Sequence, residues 1–428
     1  MKTAFINCRL LDGTKDMKLQ EGVTVVVEDG KIVSVGSGEA PADAKVYDLG
    51  GKYMMPGLIN AHVHLPSSGK PGGSSKTPEQ IEKMKKFKPI LMYMKGLCKK
   101  SARLHLLSGT TTIRTVGGFE SFDSEIRDEI KAGKYDGPRI LASDMAVSVP
   151  GGHMAGVLAY MANTPEEGAA YVRQIHEKFR PDLIKLMITG GVLDAEVRGE
   201  PGVLRMKPEI VKACCDEAHR LGYKVAAHVE SPLGVKVALE NGVDTIEHGA
   251  MPDDEIIALF KERGAADICT ISPAAPIANL SPAELKLPEA AQFNGKIVLD
   301  GIISCAKACA ENGIPVGLGT DAGCPYVFHY DTWRELEYFR KATGSTPEAA
   351  IYAATLGNAE ILGIASETGS VEPGKAADLL VVSGNPLEDF KALKQPSMVV
   401  FGGKVLKDPK IKKNEAVDRM LDELMPTV

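Results

Sequence analysis

Short, unbroken apolar runs recur along the middle of the chain, at 58–62, 110–114, 139–144, 183–188, 225–228, 245–248, 268–272 and 316–320. Between them lie longer stretches with apolar or small residues at helical spacing, as at Ile210, Val211, Ala213, Cys214, Ala218 and Leu221 within 208–221. A strand that is apolar without alternation is buried on both faces, as happens when helices cover both sides of a parallel sheet. Eight such strands alternating with helices over 57–364 predict an α/β fold, a (β/α)8 TIM barrel. The two ends of the chain read differently. Residues 1–56 alternate with period two through Val23-Thr24-Val25-Val26-Val27 and Lys31-Ile32-Val33-Ser34-Val35-Gly36, with a hairpin turn at Glu28-Asp29-Gly30, and 365 to about 410 read alike. Neither piece can bury a sheet face alone, so a small β-sandwich built from both ends, 1–56 and 365–428, is expected, with a terminal helix in the second part.

The polar residues that close these runs carry the chemistry. His62 and His64 stand two apart after the first run, so a strand there puts both imidazoles on one face, half of a zinc site. Taken alone, two surface histidines would explain the pair equally well. Lys185, His228, His248 and Asp321, however, each close or just follow another run. In a barrel of this kind the C-terminal strand ends converge on one site, which scattered His, Lys and Asp residues would not be expected to share.

This pattern resembles the amidohydrolase superfamily, in the branch whose two metal ions are bridged by a carboxylated lysine. The matching residues are His62-Val63-His64, Lys185, His228, His248 and Asp321, and the segment Glu372-Pro373-Gly374-Lys375-Ala376-Ala377-Asp378, with the later Gly402-Gly403-Lys404-Val405, is similar to that family's closing β segment. The resemblance implies two divalent ions, zinc being the expected metal. His62, His64 and Asp321 would hold one, His228 and His248 the other, and Lys185 would bridge. A lysine ammonium has no lone pair, so Lys185 must first lose a proton and take up CO2 as a carbamate. Two bound ions generate hydroxide at neutral pH, and Asp321 is the expected catalytic base and then acid toward a leaving amine. The implied reaction is hydrolysis of an amide C–N bond in a small substrate, such as a dipeptide or N-acyl amino acid. The alternatives are a cyclic-amide hydrolase similar to imidazolonepropionase, a lactonase, and, more remotely, a non-catalytic scaffold that would be expected to have lost ligands.

Two further residues are candidates for substrate binding. His153, in Gly151-Gly152-His153, follows the third strand and should face the barrel mouth. Glu230 lies two residues beyond His228, where dipeptidases of this superfamily often carry Tyr. A carboxylate there would attract a cation and repel a substrate carboxylate, or else orient His228. The loop 65–78 is read as a mobile cover over the metal site, His105, His176 and His219 as surface or packing residues, and His329 is left open.

Composition adds exclusions. A net charge of −6 over 428 residues, without a Lys/Arg stripe, argues against nucleic acid. The densest basic cluster, Lys83, Lys85, Lys86 and Lys88, alternates with Ile81, Met84 and Phe87 as one amphipathic helix would. No run approaches the ~18 apolar residues of a membrane span, and the first ten residues do not read as a signal peptide. The 8 cysteines show no paired framework, so a cytoplasmic protein acting on a small molecule, as a homo-oligomer, is expected.

Overall fold

The computed structural model describes residues 2–72, 76–195, 197–285 and 289–427. Each predicted inner run contains a strand: Leu58–Val63, Thr110–Thr115, Arg139–Leu141, Leu183–Met187, Lys224–Val229, Thr245–His248, Ala266–Cys269 and Val316–Leu318, the third ending before its predicted 144 and the seventh giving way to a helix at Ile271. They pair in parallel in chain order, the first three in one sheet and the last five in another that also includes Ala146–Ser148 and Ala159–Met161. Hydrogen bonds cross both seams between the sheets. Asp321 N–H donates to His62 O at 2.8 Å and His64 N–H to Ala322 O at 2.7 Å, tying the eighth strand to the first. Asp182 N–H donates to Ala142 O at 2.7 Å, tying the third to the fourth.

Helices cover the outer faces, which is why the runs are apolar throughout. Ile184, Leu186, Val225 and Ile246 pack against Val172 and Ile175 of Pro165–Phe179 and against Ile210, Val211 and Cys214 of Pro208–Arg220. Both helices begin with proline in the first turn, and Pro165–Phe179, like Pro232–Glu240, also has a side-chain cap: Thr164 accepts from Glu167 N–H and Ser231 from Gly234 N–H. The basic cluster departs from its expected single helix. One helix ends at Lys85 and another starts at Lys88 with Pro89 in its first turn, leaving Phe87 extended and 63% exposed instead of packed beside Ile81. Among the described residues no helix is long and apolar enough to cross a membrane.

Both chain ends build the same sheet. Lys2–Leu10, Gln20–Glu28, Lys31–Gly36, Lys45–Asp48 and Tyr53–Pro56 join Leu379–Val382, Met398–Phe401 and Lys404–Lys407 in one eight-stranded sheet. The ends share a ladder because Tyr53–Pro56 runs antiparallel to Leu379–Val382 and so offers its edge directly to the returning chain. The terminal helix Glu415–Leu424 leaves that sheet and docks near the seventh and eighth strands. There Leu421 packs with Leu280, Leu285 and Tyr326, and Arg334 pairs with Asp422 at 2.6 Å.

The sheet formed by the ends passes straight into the first inner strand at Gly57, whose N–H donates to Asp378 O at 2.8 Å. A Cβ at Gly57 would lie 2.2 Å from Thr111 Cγ2 and Oγ1. Gly57→Val is therefore expected to destabilise the chain by at least the ~1–3 kcal/mol typical of overpacking, measured by urea unfolding. Wild-type stability in that variant would mean the joint between the two sheets is slack.

Candidate metal centre

The strands bring all six predicted ligand residues to one end of the parallel sheets. His62, Lys185, His228, His248 and Asp321 are buried, and His64 nearly so. The imidazoles form a continuous chain: ring centroids lie 5.4 Å apart for His62 and His64, 4.8 Å for His62 and His248, and 4.6 Å for His228 and His248. Asp321 Oδ1 stands 3.2 Å from His64 Nε2 and 3.5 Å from His62 Nε2.

Each ring is oriented by its other nitrogen. His62 Nδ1 meets Glu247 Oε2 at 2.7 Å and His64 Nδ1 meets Gly117 O at 2.8 Å. A carboxylate and a carbonyl only accept, so both Nδ1 atoms carry the hydrogen and both Nε2 lone pairs face the centre. His248 Nδ1 lies 2.7 Å from Thr270 Oγ1, and His228 Nε2 lies 3.3 Å from Gly190 O. Burial pushes His62 down to about 4 and His228 and His248 well below the usual histidine range, keeping them neutral as ligands must be. His64 is raised, against its own burial, by Asp321, which is itself held low in spite of burial by His64 and His62.

Lys185 is the least accommodated group. It is 1% exposed, its Nζ has no hydrogen-bond partner, and burial pushes it down to about 8 against the pull of Glu247. An ammonium here would be a buried charge without a hydrogen bond, a cost that the neutral amine avoids. Two of the predicted ligand residues are also strained: His248 and Asp321 have φ of 74° and 57°, in the left-handed region that β-carbon-bearing residues avoid.

Several functional residues escaped the sequence reading. Glu247 is fully buried and accepts from Arg114 Nη2 at 2.7 Å and Thr245 Oγ1 at 2.7 Å besides meeting His62. Burial alone would raise its pKa, but Arg114 and then His62 hold it well below the usual range. Arg114 also donates from Nε to Ala61 O at 2.6 Å. The available signal was an arginine closing an apolar strand run, since a buried guanidinium requires a carboxylate.

His153 stacks on His228 at 4.2 Å between centroids and 7° between planes, its Nδ1 bonded to Asp194 Oδ2. Asp194, with Gly190, Glu200, Val203 and Arg205, lines a cleft of about 230 Å³ beside the centre. Glu230 accepts from Val192 N–H at 2.8 Å, and burial, with Asp321 and Asp194 nearby, pushes it up to about 8. Two three-residue sets bring ligand atoms within 4.8 Å of one another: His62, His248 and Asp321, and His228, Glu230 and His248. His248 thus stands between both. His329 lies outside these sets. It contacts His105 at 3.0 Å and Ser67 O at 2.7 Å, and with the Gly69–Gly323 and Tyr326–Gly69 backbone bonds it ties the start of the 65–78 loop to the segment after the eighth strand. Residues 73–75 of that loop lie outside the described residues.

Comparison with known proteins gives consistent results. The profile of the amidohydrolase family matches residues 53–406. A candidate prolidase from Bifidobacterium longum is 38% identical, with a TM-score of 0.87 over 99% of this chain and 98% of that one. A Xaa-Pro dipeptidase with methionine bound in its active site is 30% identical, with a TM-score of 0.84 over 95% of this chain and 100% of that one. Ochratoxinase from Aspergillus niger is 28% identical over 84% of this chain and 76% of its own length.

Glu247→Gln should test how far the centre rests on its outer contacts. The amide leaves Arg114 charged and buried without its counter-ion, expected to cost about 3–5 kcal/mol in denaturant unfolding at neutral pH. Because the folded pKa lies below the free value of 4.5, the carboxylate's contribution is complete above that pH and is lost as pH falls below it. The gap between wild type and variant should therefore narrow in acid; a constant gap would argue that Glu247 acts through packing alone.

Proposed function

The chain belongs to the amidohydrolase family, and on that footing we propose that it is a metal-dependent hydrolase cleaving an amide C–N bond of a small substrate, such as a dipeptide or N-acyl amino acid. The eight parallel strands are read as a (β/α)8 barrel over 57–364, with 1–56 and 365–428 as its satellite. The observation that carries the proposal is the convergence of five ligand-type side chains from four strand ends around a buried lysine whose Nζ has no hydrogen-bond partner. That donor set suits divalent ions of the zinc type. His62, His64 and Asp321 would hold one, His228 and His248 the other, with Lys185 between them.

When bound, such a pair supplies hydroxide at neutral pH and polarises the scissile carbonyl. The chain's own residues do the rest. Neutral Lys185 adds through its nitrogen lone pair to CO2, forming an N–C bond and releasing one proton to solvent. The carbamate then offers two anionic oxygens where an ammonium offered none. Asp321, with Oδ1 free of any hydrogen bond, accepts the proton of the attacking water and delivers it to the departing amine nitrogen. Glu247 and Gly117 O keep the His62 and His64 rings turned inward. His153, braced by Asp194 and by stacking on His228, presents its other nitrogen toward the substrate. Glu230 stands at the same rim.

Metal analysis of protein prepared with added zinc is expected to give close to two ions per chain. A saturated value near one would remove the bridged reading and leave a mononuclear hydrolase.

Asp321→Asn separates binding from chemistry. It should still bind substrate yet lose several orders of magnitude in kcat, about 10²–10⁴-fold or more, because an amide cannot carry the proton. The loss should be smaller for an activated ester, whose leaving group needs less protonation than an amine. Equal losses on both, with metal retained, would confine Asp321 to activating the water.

A further inference from the structure

Resting on the two-ion reading above, we infer that Glu230 is a ligand of the second ion, so that His228, Glu230 and His248 form a binding set complete without Lys185. Glu230 follows His228 by two residues at the end of the fifth strand, the spacing that returns a side chain to the same side. Its backbone is fixed from two directions: its N–H donates to Thr189 Oγ1 at 3.1 Å, and its carbonyl oxygen lies 2.3 Å from where a Cβ on Gly202 would be. Val192 N–H engages Oε2 at 2.8 Å and orients the carboxylate, leaving the other oxygen available.

Among the described residues no Lys or Arg forms an ion pair with Glu230, and its nearest charged neighbours, Asp321 and Asp194, are carboxylates as well. A cation bound here would offset the repulsion among these carboxylates. The ligand atoms nearby are those of His228 and His248, within 4.8 Å of it and of each other. Two imidazoles and one carboxylate are a complete protein set for a catalytic zinc, with a position left open. Donors around zinc stand about 3.4 Å apart in a tetrahedron, so binding would draw the three inward. The Lys185 carbamate then joins an ion already in place.

The test uses the full-length protein stripped of metal and titrated with zinc in competition with a chromophoric chelator. Outer-sphere partners of a ligand change affinity by about 10–100-fold, so losing the ligand itself should weaken binding by about a hundredfold or more. Glu230→Gln, whose amide oxygen can still accept from Val192 N–H, should keep the first ion and bind the second that much more weakly. Lys185→Ala should still take up a second ion, and adding Glu230→Gln to it should abolish that uptake. Two ions in wild type with unchanged affinities in Glu230→Gln would overturn the inference alone, making Glu230 a substrate contact or a structural group. Loss of the second ion in Lys185→Ala would also overturn it. A wild type that binds only one ion overturns the two-ion reading itself, and the inference falls with it. Should metal-free Glu230→Gln unfold well below wild type, Glu230→Asp takes its place; its shorter arm must also weaken the second ion, or the inference fails.

Discussion

The site depends on a buried ionic contact that no solvent reaches: Arg114 on the second inner strand, Glu247 on the sixth and His62 on the first. Removing charges from water is costly, and only close pairing with further hydrogen bonds offsets it. Arg114 meets that condition through Glu247, Thr245 Oγ1 and Ala61 O, and Glu247 through Arg114, Thr245 and His62. The contact links three strands, and it fixes which nitrogen of His62 faces the centre. Breaking it would leave a charge in the core as well as a misdirected ligand.

Against this well-satisfied frame, the groups it surrounds are poorly satisfied. Lys185 Nζ and Asp321 Oδ1 lack hydrogen-bond partners, and His248 and Asp321 sit at positive φ. Buried polar groups are nearly always paired, so these two unpaired atoms stand out beside their well-paired neighbours. A cation would give Asp321 Oδ1 the partner it lacks. Glu335, by contrast, is a fully buried carboxylate whose oxygens accept from Ile271 N–H, Ser272 N–H and Ser272 Oγ. Glu335 caps a helix and is complete without an ion.

Under the proposed function, substrate choice would fall to the segments that rim the centre. The cleft between Gly190 and Arg205 mixes Asp194 and Glu200 with a single Arg205, and Asp194 is committed to His153. Sequence relatives that carry prolidase, dipeptidase and ochratoxinase names share the strands. Loops of this kind vary most between relatives, because they answer to a ligand and not to a core.

Much of this was legible in the residue order. Unbroken apolar runs specify two-sided burial and hence parallel strands, and period two places His62 beside His64, so the eight strands and the six ligand-type residues could be read directly. Contacts between residues far apart in sequence could not. Nothing near His62 announces Glu247, 185 residues away, and nothing near His153 announces Asp194. The sharing of one ladder by both chain ends also depended on which strand edge remained open. Phe87 was misread because helical spacing continues across a point where Pro89 restarts the helix. By itself, then, the sequence determined the elements and the chemical character of the site, since periodicity and side-chain type are local. The tertiary structure decided which nitrogen, which oxygen and which lone pair face one another, because those follow from how distant strands pack and from the need to pair every charge they bury.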